Sequence, residues 1–361
     1  MLEDAAPGAP RERQGVGRRP RLADVAALVG LSPASVSLVL RNEPGPSEET
    51  RRRVLAAATA LGYRPDRTAS SLARRRSGLL GLLVDVHNSF HAELVEGIDA
   101  AARDVGYDVV LSTLTRVRNE DRAIETLLDF RCEALVLLGP ESAPSRLARL
   151  DTMVPVVVVG RRLAPLVADA VRSADGAGVG QAVEHLVDLG HEDIVFVDGG
   201  RGTIATDRRR GYRSAMRRRG LAAHTRILPG DHTESAGISA AEVLLRQDEL
   251  PSAVVAFNDR SAVGLLDALT RAGIRVPEQV SVVGYDDSPQ SHWAHIELTT
   301  VSQEAGQQAK HAVASAVDRL GGRTELREVV LTPRLVVRAT TGPCPSPGST
   351  RRVDADRPHD R

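Results

Sequence analysis

Residues 21–77 decide the fold, and they read RLADVAALVGLSPASVSLVLRNEPGPSEETRRRVLAAATALGYRPDRTASSLARRRS. Apolar residues recur at helical spacing over Leu22–Val29, and Gly30 follows them, as glycine does just past a helix C-terminus. Ser32 then precedes Pro33, the pattern of an N-cap with proline at the first helical position. Two short helices joined by a glycine turn indicate a helix-turn-helix, although an ordinary helical hairpin shows the same pattern.

A third helix and a local excess of positive charge favour DNA binding over the plain hairpin. Ser47 is placed to cap the third helix, with Glu48 and Glu49 at its positive end. Residues 11–77 contain fourteen arginines and six acidic residues, a net charge of +8 in a chain whose total is 0. Such an excess suits contact with phosphates, although the arginines at 51–53 also fit a solvated helix face.

The quoted stretch closely resembles the lactose-repressor (LacI/GalR) family of bacterial transcription regulators, and the similarity extends more loosely to about Thr340. The resemblance implies that Pro33-Ala34-Ser35 opens a recognition helix lying in the major groove of DNA. It also implies a hinge helix over 67–73, whose Leu72 wedges into the minor groove at the centre of a pseudo-palindromic operator. Because so short a helix is marginal in water, we expect it to order only when two copies pair on DNA.

One departure from the family concerns base reading. Leu38 stands where the family usually has a guanine-reading arginine, and Arg41 stands where an asparagine is common. The identity of the inner bases of the operator is therefore left open. The DNA-binding residues that the resemblance implies are Leu22, Ser32, Pro33, Ala34, Ser35, Ser37, Leu38, Arg41, Arg67, Ala69, Leu72 and Ala73.

Beyond the hinge, short apolar strands alternate with amphipathic helices in two blocks. The first block ends with the strand at 154–159, and the second runs from the helix at 177–189 to the strand at 279–284. This alternation predicts an α/β fold with two doubly wound parallel-sheet lobes, which the resemblance identifies as a periplasmic-binding-protein-like core. The resemblance also implies three crossings between the lobes, near 173–176, 300–303 and 327–331.

We expect five segments along the chain. They are a disordered N-terminal arm (1–19), an all-α helix-turn-helix head (20–65), a hinge helix and linker (66–77), a two-lobe effector-binding and dimerisation core (78–341) and a disordered tail (342–361).

Composition bounds the class of protein. With 361 residues and 42% hydrophobic content, the chain can bury the cores of a head and two lobes. Cys132 and Cys344 lie far apart without metal-ligand spacing, so we expect free thiols, no metal and no cofactor. No nucleophile elbow or Walker loop is present, so we expect no enzyme. The chain has no long apolar span and no apolar signal core, so we expect a cytoplasmic protein that does not enter a membrane.

Polar residues at strand ends are expected to form an effector cleft, because ligands of doubly wound sheets bind beyond the carboxyl ends of the strands. The segment at 206–212 resembles the family's effector-arginine motif, with Arg208 at the binding position, where a planar guanidinium can donate to two hydroxyls at once. Asp286 follows a predicted strand and matches the family's cleft aspartate.

Other candidates carry two interpretations each. Phe90 suits either stacking on a ligand ring or packing within a lobe, and Asn258 and Asp259 suit either ligand binding or a helix cap. The full set of expected effector-binding residues is Phe90, His91, Arg161, Arg208, His232, Asn258, Asp259 and Asp286.

The sequence therefore predicts a homodimeric, ligand-responsive repressor that binds double-stranded operator DNA and is released by a sugar or a sugar derivative. Two alternatives stay open. One is a regulator that needs a corepressor of the nucleobase type, which only the sign of the ligand effect distinguishes. The other is a solute-binding protein without a DNA role, which the charge of the head disfavours.

Overall fold

The computed structural model describes residues 20–40, 43–63 and 76–345, and it divides between residues 77 and 78 into two compact units. The predictions for the N-terminal arm, for most of the tail and for five DNA-binding residues lie outside the described ranges. Those five residues are Arg41, Arg67, Ala69, Leu72 and Ala73.

The described part of the first unit is built from three helices whose ends are set by local sequence. Gly30 adopts a left-handed conformation (φ 66°) and ends the first helix. The Ser32 hydroxyl accepts the backbone N–H of Ser35 at 3.2 Å, and the Ser47 hydroxyl accepts that of Thr50 at 3.3 Å. These contacts cap the second and third helices. The helices are α1 Leu22–Val29, α2 Pro33–Leu40 and α3 Glu48–Ala60.

The first two helices meet at 104°, which is the geometry of a helix-turn-helix. The third helix closes the core, and Arg53 donates to the Val29 carbonyl at 2.8 Å, satisfying the C-terminus of α1. The buried residues of this core are Val25, Ala26, Val29, Val36, Val39, Val54, Ala57 and Ala58.

The first lobe of the second unit is a parallel sheet with helices on both faces. Its strands are β1 Leu79–Asp85, β2 Asp108–Leu114, β3 Ala134–Leu138, β4 Val156–Val159, β5 Asp169–Ser173 and β11 Glu328–Leu331, in the order β11-β5-β4-β3-β1-β2. Its helices are α4 Phe90–Asp104, α5 Glu120–Asp129, α6 Pro144–Asp151 and α11 Ala305–Leu320. Every residue of β3 and β4 is buried, as their continuous apolar runs require.

The second lobe repeats this arrangement around a four-stranded parallel sheet in the order β7-β6-β8-β9. The strands are β6 Ile194–Val197, β7 Arg226–Leu228, β8 Ala253–Val255 and β9 Ser281–Val283, and the helices are α7 Asp175–Asp188, α8 Thr203–Arg218, α9 Glu234–Leu245 and α10 Asp259–Arg271. The last two helices touch backbone to backbone, because a Cβ on Gly237 would lie 1.9 Å from the Ser261 carbonyl oxygen.

Within residues 76–345 the chain crosses between the lobes at three points. The first crossing joins β5 to α7 and the second joins β10 Thr300–Ser302 to α11. The third joins β11 to β12 Arg334–Val336, a few residues later than predicted, and β12 pairs antiparallel with β10 beside the second lobe.

The predicted fold class is confirmed, with two differences in detail. The sequence analysis did not predict strands β5, β10, β11 and β12, which are only three to five residues long. The sequence pattern predicts a helix over about 92–105, but helix α4 begins at Phe90, because the Asn88 side chain accepts the Phe90 backbone N–H at 3.1 Å and starts the turn early. Among the described helices, no single one is long and apolar enough to cross a membrane; α1 and α2 reach the required length and composition only as a bent pair.

Candidate functional site

Helix α2, the second helix of the helix-turn-helix, presents its first turn to solvent. Ser32, Pro33 and Ala34 are exposed, Ser35 and Ser37 are partly buried, and Leu38 is 36% exposed on the same helix. Val36 and Val39 face the core, so the two faces of α2 are cleanly separated. Leu22 packs in part against the core.

In the second unit, Arg208 is the centre of a buried polar cluster. Its Nε donates to Asp175 Oδ1 at 2.8 Å, and Nη1 donates to the Phe257 carbonyl at 2.6 Å. Its guanidinium carbon lies 3.6 Å above the ring centroid of Tyr285 and 4.6 Å from that of Phe257. The stacked and hydrogen-bonded guanidinium is held in one orientation, with Nη2 turned toward Asp286 at 3.7 Å.

Asp286 follows β9 and lies where the second crossing begins. Its backbone N–H donates to the Val301 carbonyl at 2.8 Å, and its Oδ1 accepts from Gln303 Nε2 at 2.6 Å. The residue has φ 125°, a conformation that costs free energy for a side chain other than glycine and is common at functional sites. Burial raises the pKa of Asp286 to about 8, against the opposing effect of Arg208. The carboxyl group can therefore donate as well as accept near neutral pH.

Asn258 and Asp259 begin helix α10 and are both buried. Asn258 Oδ1 accepts the Ser261 backbone N–H at 2.9 Å, which caps the helix, and its Nδ2 donates to the His232 carbonyl at 3.1 Å. Asp259 Oδ2 accepts from the backbone N–H and the hydroxyl of Ser288, at 2.7 and 2.8 Å. Its Oδ1 accepts from the hydroxyl of Thr300 at 2.5 Å.

Burial raises the pKa of Asp259 to about 6, while its hydrogen bonds oppose the shift. In this arrangement the carboxylate joins α10 to the loop after β9 and to β10. Its side chain therefore fixes the backbone that carries Asp286.

The first lobe contributes His91 and Phe90 from the first turn of α4. His91 Nδ1 accepts the Asp85 backbone N–H at 3.1 Å, so the neutral ring carries its proton on Nε2. Burial lowers the pKa of His91 to about 4, opposed by Asp85 and reinforced by the nearby charge of His232. Phe90 is 5% exposed and packs in the core of the first lobe.

Arg161 and His232 approach from opposite lobes. Arg161 Nη1 donates to the carbonyls of Pro140 and Ser142, the latter at 3.1 Å, and its Nε is buried without a hydrogen-bond partner among the described residues. The His232 side chain is exposed.

A further contact across the cleft was not predicted from the sequence. Arg260 at the start of α10 pairs with Glu234, with Nε 2.8 Å from Oε1, and donates to the His87 carbonyl of the first lobe. The roles of Asp175, Gln303 and Tyr285 were missed as well. For Asp175, the available signal was a carboxylate within a predicted crossing. Among the described residues, no group of three or more histidine, cysteine and carboxylate side chains could hold a metal ion.

Comparison with known proteins finds similar sequences for both units of the chain. Residues 21–66 match the family of bacterial regulatory proteins named lacI, and residues 183–341 match a periplasmic binding protein-like domain. The HTH-type transcriptional regulator MalR of Streptomyces coelicolor is 35% identical over 341 residues, covering 90% of this chain and 97% of MalR. GalR of Escherichia coli K12 is 33% identical over 322 residues, covering 87% and 94%.

Solved structures show the same similarity. A LacI transcriptional regulator from a Rhodococcus species is 43% identical with a TM-score of 0.72, covering 74% of this chain and 99% of that one. The lac repressor dimer bound to operator and the anti-inducer ONPF is 27% identical with a TM-score of 0.79, covering 90% and 100%. The complex of the transcriptional regulator CelR with cellobiose is 30% identical with a TM-score of 0.66, covering 89% and 100%.

A helix-turn-helix head and a two-lobe core with a buried polar cluster at the crossings define a DNA-binding transcription regulator with a small-molecule site. The chain belongs to the LacI family of bacterial regulatory proteins.

Proposed function

We propose that this protein is a cytoplasmic, homodimeric repressor that a sugar or sugar derivative in the cleft releases from its operator. The observation that carries the proposal is the buried pair of Arg208 and Asp286, whose Nη2 and Oδ1 atoms lie 3.7 Å apart. A guanidinium and a carboxyl group so close together match adjacent hydroxyls of a sugar, one accepting and one donating. The cellobiose bound to CelR supports the ligand class.

Each expected effector residue has a distinct part in this proposal. Arg208 and Asp286 bind hydroxyls directly, and His91, through Nε2, and Arg161, through Nε, add donors from the first lobe. His232 and Asn258 approach from the second lobe. Two expected residues act from behind the ligand, namely Phe90 by supporting the first turn of α4 and Asp259 by fixing the loop before β10.

The DNA-binding part of the proposal places α2 in the major groove, with the exposed residues from Ser32 to Leu38 at the bases. Leu72 and its neighbours enter the minor groove as paired hinge helices. The lac repressor dimer bound to operator supports both operator binding and the dimer.

A thermal-shift screen of the full chain against neutral sugars and nucleobases tests the ligand class. A ligand that binds only the folded state stabilises it by about 2.7 kcal/mol at a hundredfold excess over Kd. We expect a shift with one sugar that disappears in Asp286→Asn and persists in the control variant Asp248→Asn, at an exposed site. A response to a nucleobase alone would contradict the sugar class, and a sugar response retained in Asp286→Asn would contradict the site.

A further inference from the structure

A second cavity, of about 600 Å³, opens beside the first crossing between the lobes. Arg162 and Arg172 reach it from the first lobe, and Arg210 and Arg218 reach it from α8 in the second. None of the eight residues proposed to bind the cleft effector lines this cavity, and the two sites adjoin only at Asp175, which lines the cavity and also holds Arg208. The cavity is therefore a separate candidate site.

The floor of the cavity is formed where helices α7 and α8 touch. A Cβ on Gly211 would lie 2.4 Å from the Gly176 carbonyl oxygen, so two glycines let the backbones meet. Because neither residue has a side chain, the space above the contact stays open, between the first turn of α7 and the polar side chains of α8.

The charges around the cavity are mixed. Arg218 Nη2 lies 2.8 Å from Glu184 Oε1, and Arg210 Nη1 lies 3.7 Å from Asp207 Oδ1. Arg172 pairs with Glu328 at 2.7 Å, just outside the lining.

Arg162 is different from these three arginines. It is exposed at the rim and makes no hydrogen bond or ion pair with the described residues. The site thus offers one guanidinium without a counter-ion among the described residues, beside three that are paired with carboxylates.

We propose that this cavity binds a small phosphorylated polyhydroxyl metabolite. Guanidinium groups match the geometry of phosphate oxygens, and Arg162 and Arg210 are placed to take the phosphate. The carboxylates of Glu184 and Asp207 accept hydrogen bonds from hydroxyls. A neutral sugar would leave Arg162 without a counter-charge. This inference is independent of the proposed cleft effector.

Because the ligand would touch both lobes, its binding would favour one lobe arrangement over another. Arg162 follows β4 and Arg172 lies in β5, whereas Arg210 belongs to α8. A ligand in this cavity and a ligand in the cleft would thus both act on how the two lobes are arranged.

Isothermal titration calorimetry of the full chain at fixed ionic strength tests the site. The probes are glucose 6-phosphate, ribose 5-phosphate and glycerol 3-phosphate, each compared with its unphosphorylated form, with inorganic phosphate and with citrate. We expect at least one phosphate ester to bind and its unphosphorylated form not to bind. We expect the double variant R162Q/R210Q, which changes two exposed residues, to weaken that binding by roughly tenfold or more.

Two control variants locate the binding. Arg217→Gln removes an exposed arginine of α8 outside the cavity and should change nothing. Asp286→Asn alters the cleft and should also leave the affinity for the phosphate ester unchanged. No binding by any of the three esters, loss of binding in Asp286→Asn, or full binding in R162Q/R210Q would overturn the inference. Equal binding of inorganic phosphate or citrate with the same arginine dependence would overturn the proposed ligand class.

Discussion

Arg208 Nε donates to Asp175 Oδ1 at 2.8 Å, and both side chains are about 95% buried. Asp175 is the first residue of α7 and directly follows the first crossing between the lobes. The arginine proposed to bind the effector is thus anchored at a crossing. Burial raises the pKa of Asp175, and the positive charge of Arg208 opposes that shift.

We expect Asp175→Asn to lower the free energy of unfolding by about 3 kcal/mol, because it leaves the buried Arg208 without its hydrogen-bonded counter-ion. Chemical denaturation followed by circular dichroism measures the change. Asp188→Asn, on the same helix, breaks an exposed pair with Arg219 and should cost less than about 1 kcal/mol. Equal losses in the two variants would show that the buried pair has no special part in stability.

The raised pKa of Asp286 predicts a pH-dependent stability. With a pKa of about 8 in the folded state, the group binds a proton that the unfolded chain has already released above about pH 4. Its contribution to stability is therefore fully present below the unfolded pKa and is lost as pH rises through about 8.

Denaturation of the ligand-free protein between pH 6 and 8 tests this sign, in a range above the pKa of about 6 for Asp259. The free energy of unfolding should fall more steeply with pH in the native protein than in Asp286→Asn, by up to about 1.4 kcal/mol per pH unit. Parallel curves for the two proteins would mean that Asp286 ionises as an ordinary carboxyl group.

Leu38 predicts a specific change in base preference. It is partly exposed on α2, so Leu38→Arg should fold normally and should select guanine at one position of each half-site. Selection of binding sequences from a random DNA library measures this preference. Leu28→Arg adds the same charge on α1, outside the recognition helix, and should raise affinity without changing the selected sequence. If neither variant preferred guanine, or if both did, position 38 would not be a base-reading position.

Leu72 is predicted from the family resemblance to act as the wedge at the centre of the operator. Leu72→Ala should reduce specific affinity by about a hundredfold or more and leave weak, salt-sensitive binding. Ser71→Ala, at the neighbouring position, serves as the control. Fluorescence anisotropy at two salt concentrations separates the two kinds of binding, and unchanged operator affinity in Leu72→Ala would refute the hinge prediction.

Local patterns predicted the parts of the fold that depend on neighbours in sequence. Gly30, Ser32 and Ser47 mark helix ends because capping is a contact over three or four residues. The parallel sheets followed from long apolar runs such as β3 and β4. Strands β10 and β12 have no such run, since each is defined by its antiparallel pairing with the other, which lies more than 30 residues away in the chain.

The cleft shows the same difference between features set by nearby residues and features set by distant ones. Arg208 and Asp286 were predicted to bind the effector because each stands in a recognisable motif, but the residues that contact them come from distant parts of the chain. Asp175 lies 33 residues before Arg208, and Gln303 lies 17 residues after Asp286. Phe90 was ambiguous because its direction depends on where α4 begins, and the Asn88 side chain sets that point.

Operator release is the most direct test of the central claim that the cleft controls DNA binding through Asp286 and Arg208. The measurement is the affinity of the full chain for a DNA site selected from a random library, with and without the sugar identified by the thermal-shift screen. The account predicts that the sugar weakens the affinity of the native protein for DNA by at least about tenfold, and that Asp286→Asn binds the same DNA but no longer responds. Equal release of both proteins by the sugar, or tighter DNA binding in its presence, would contradict the account.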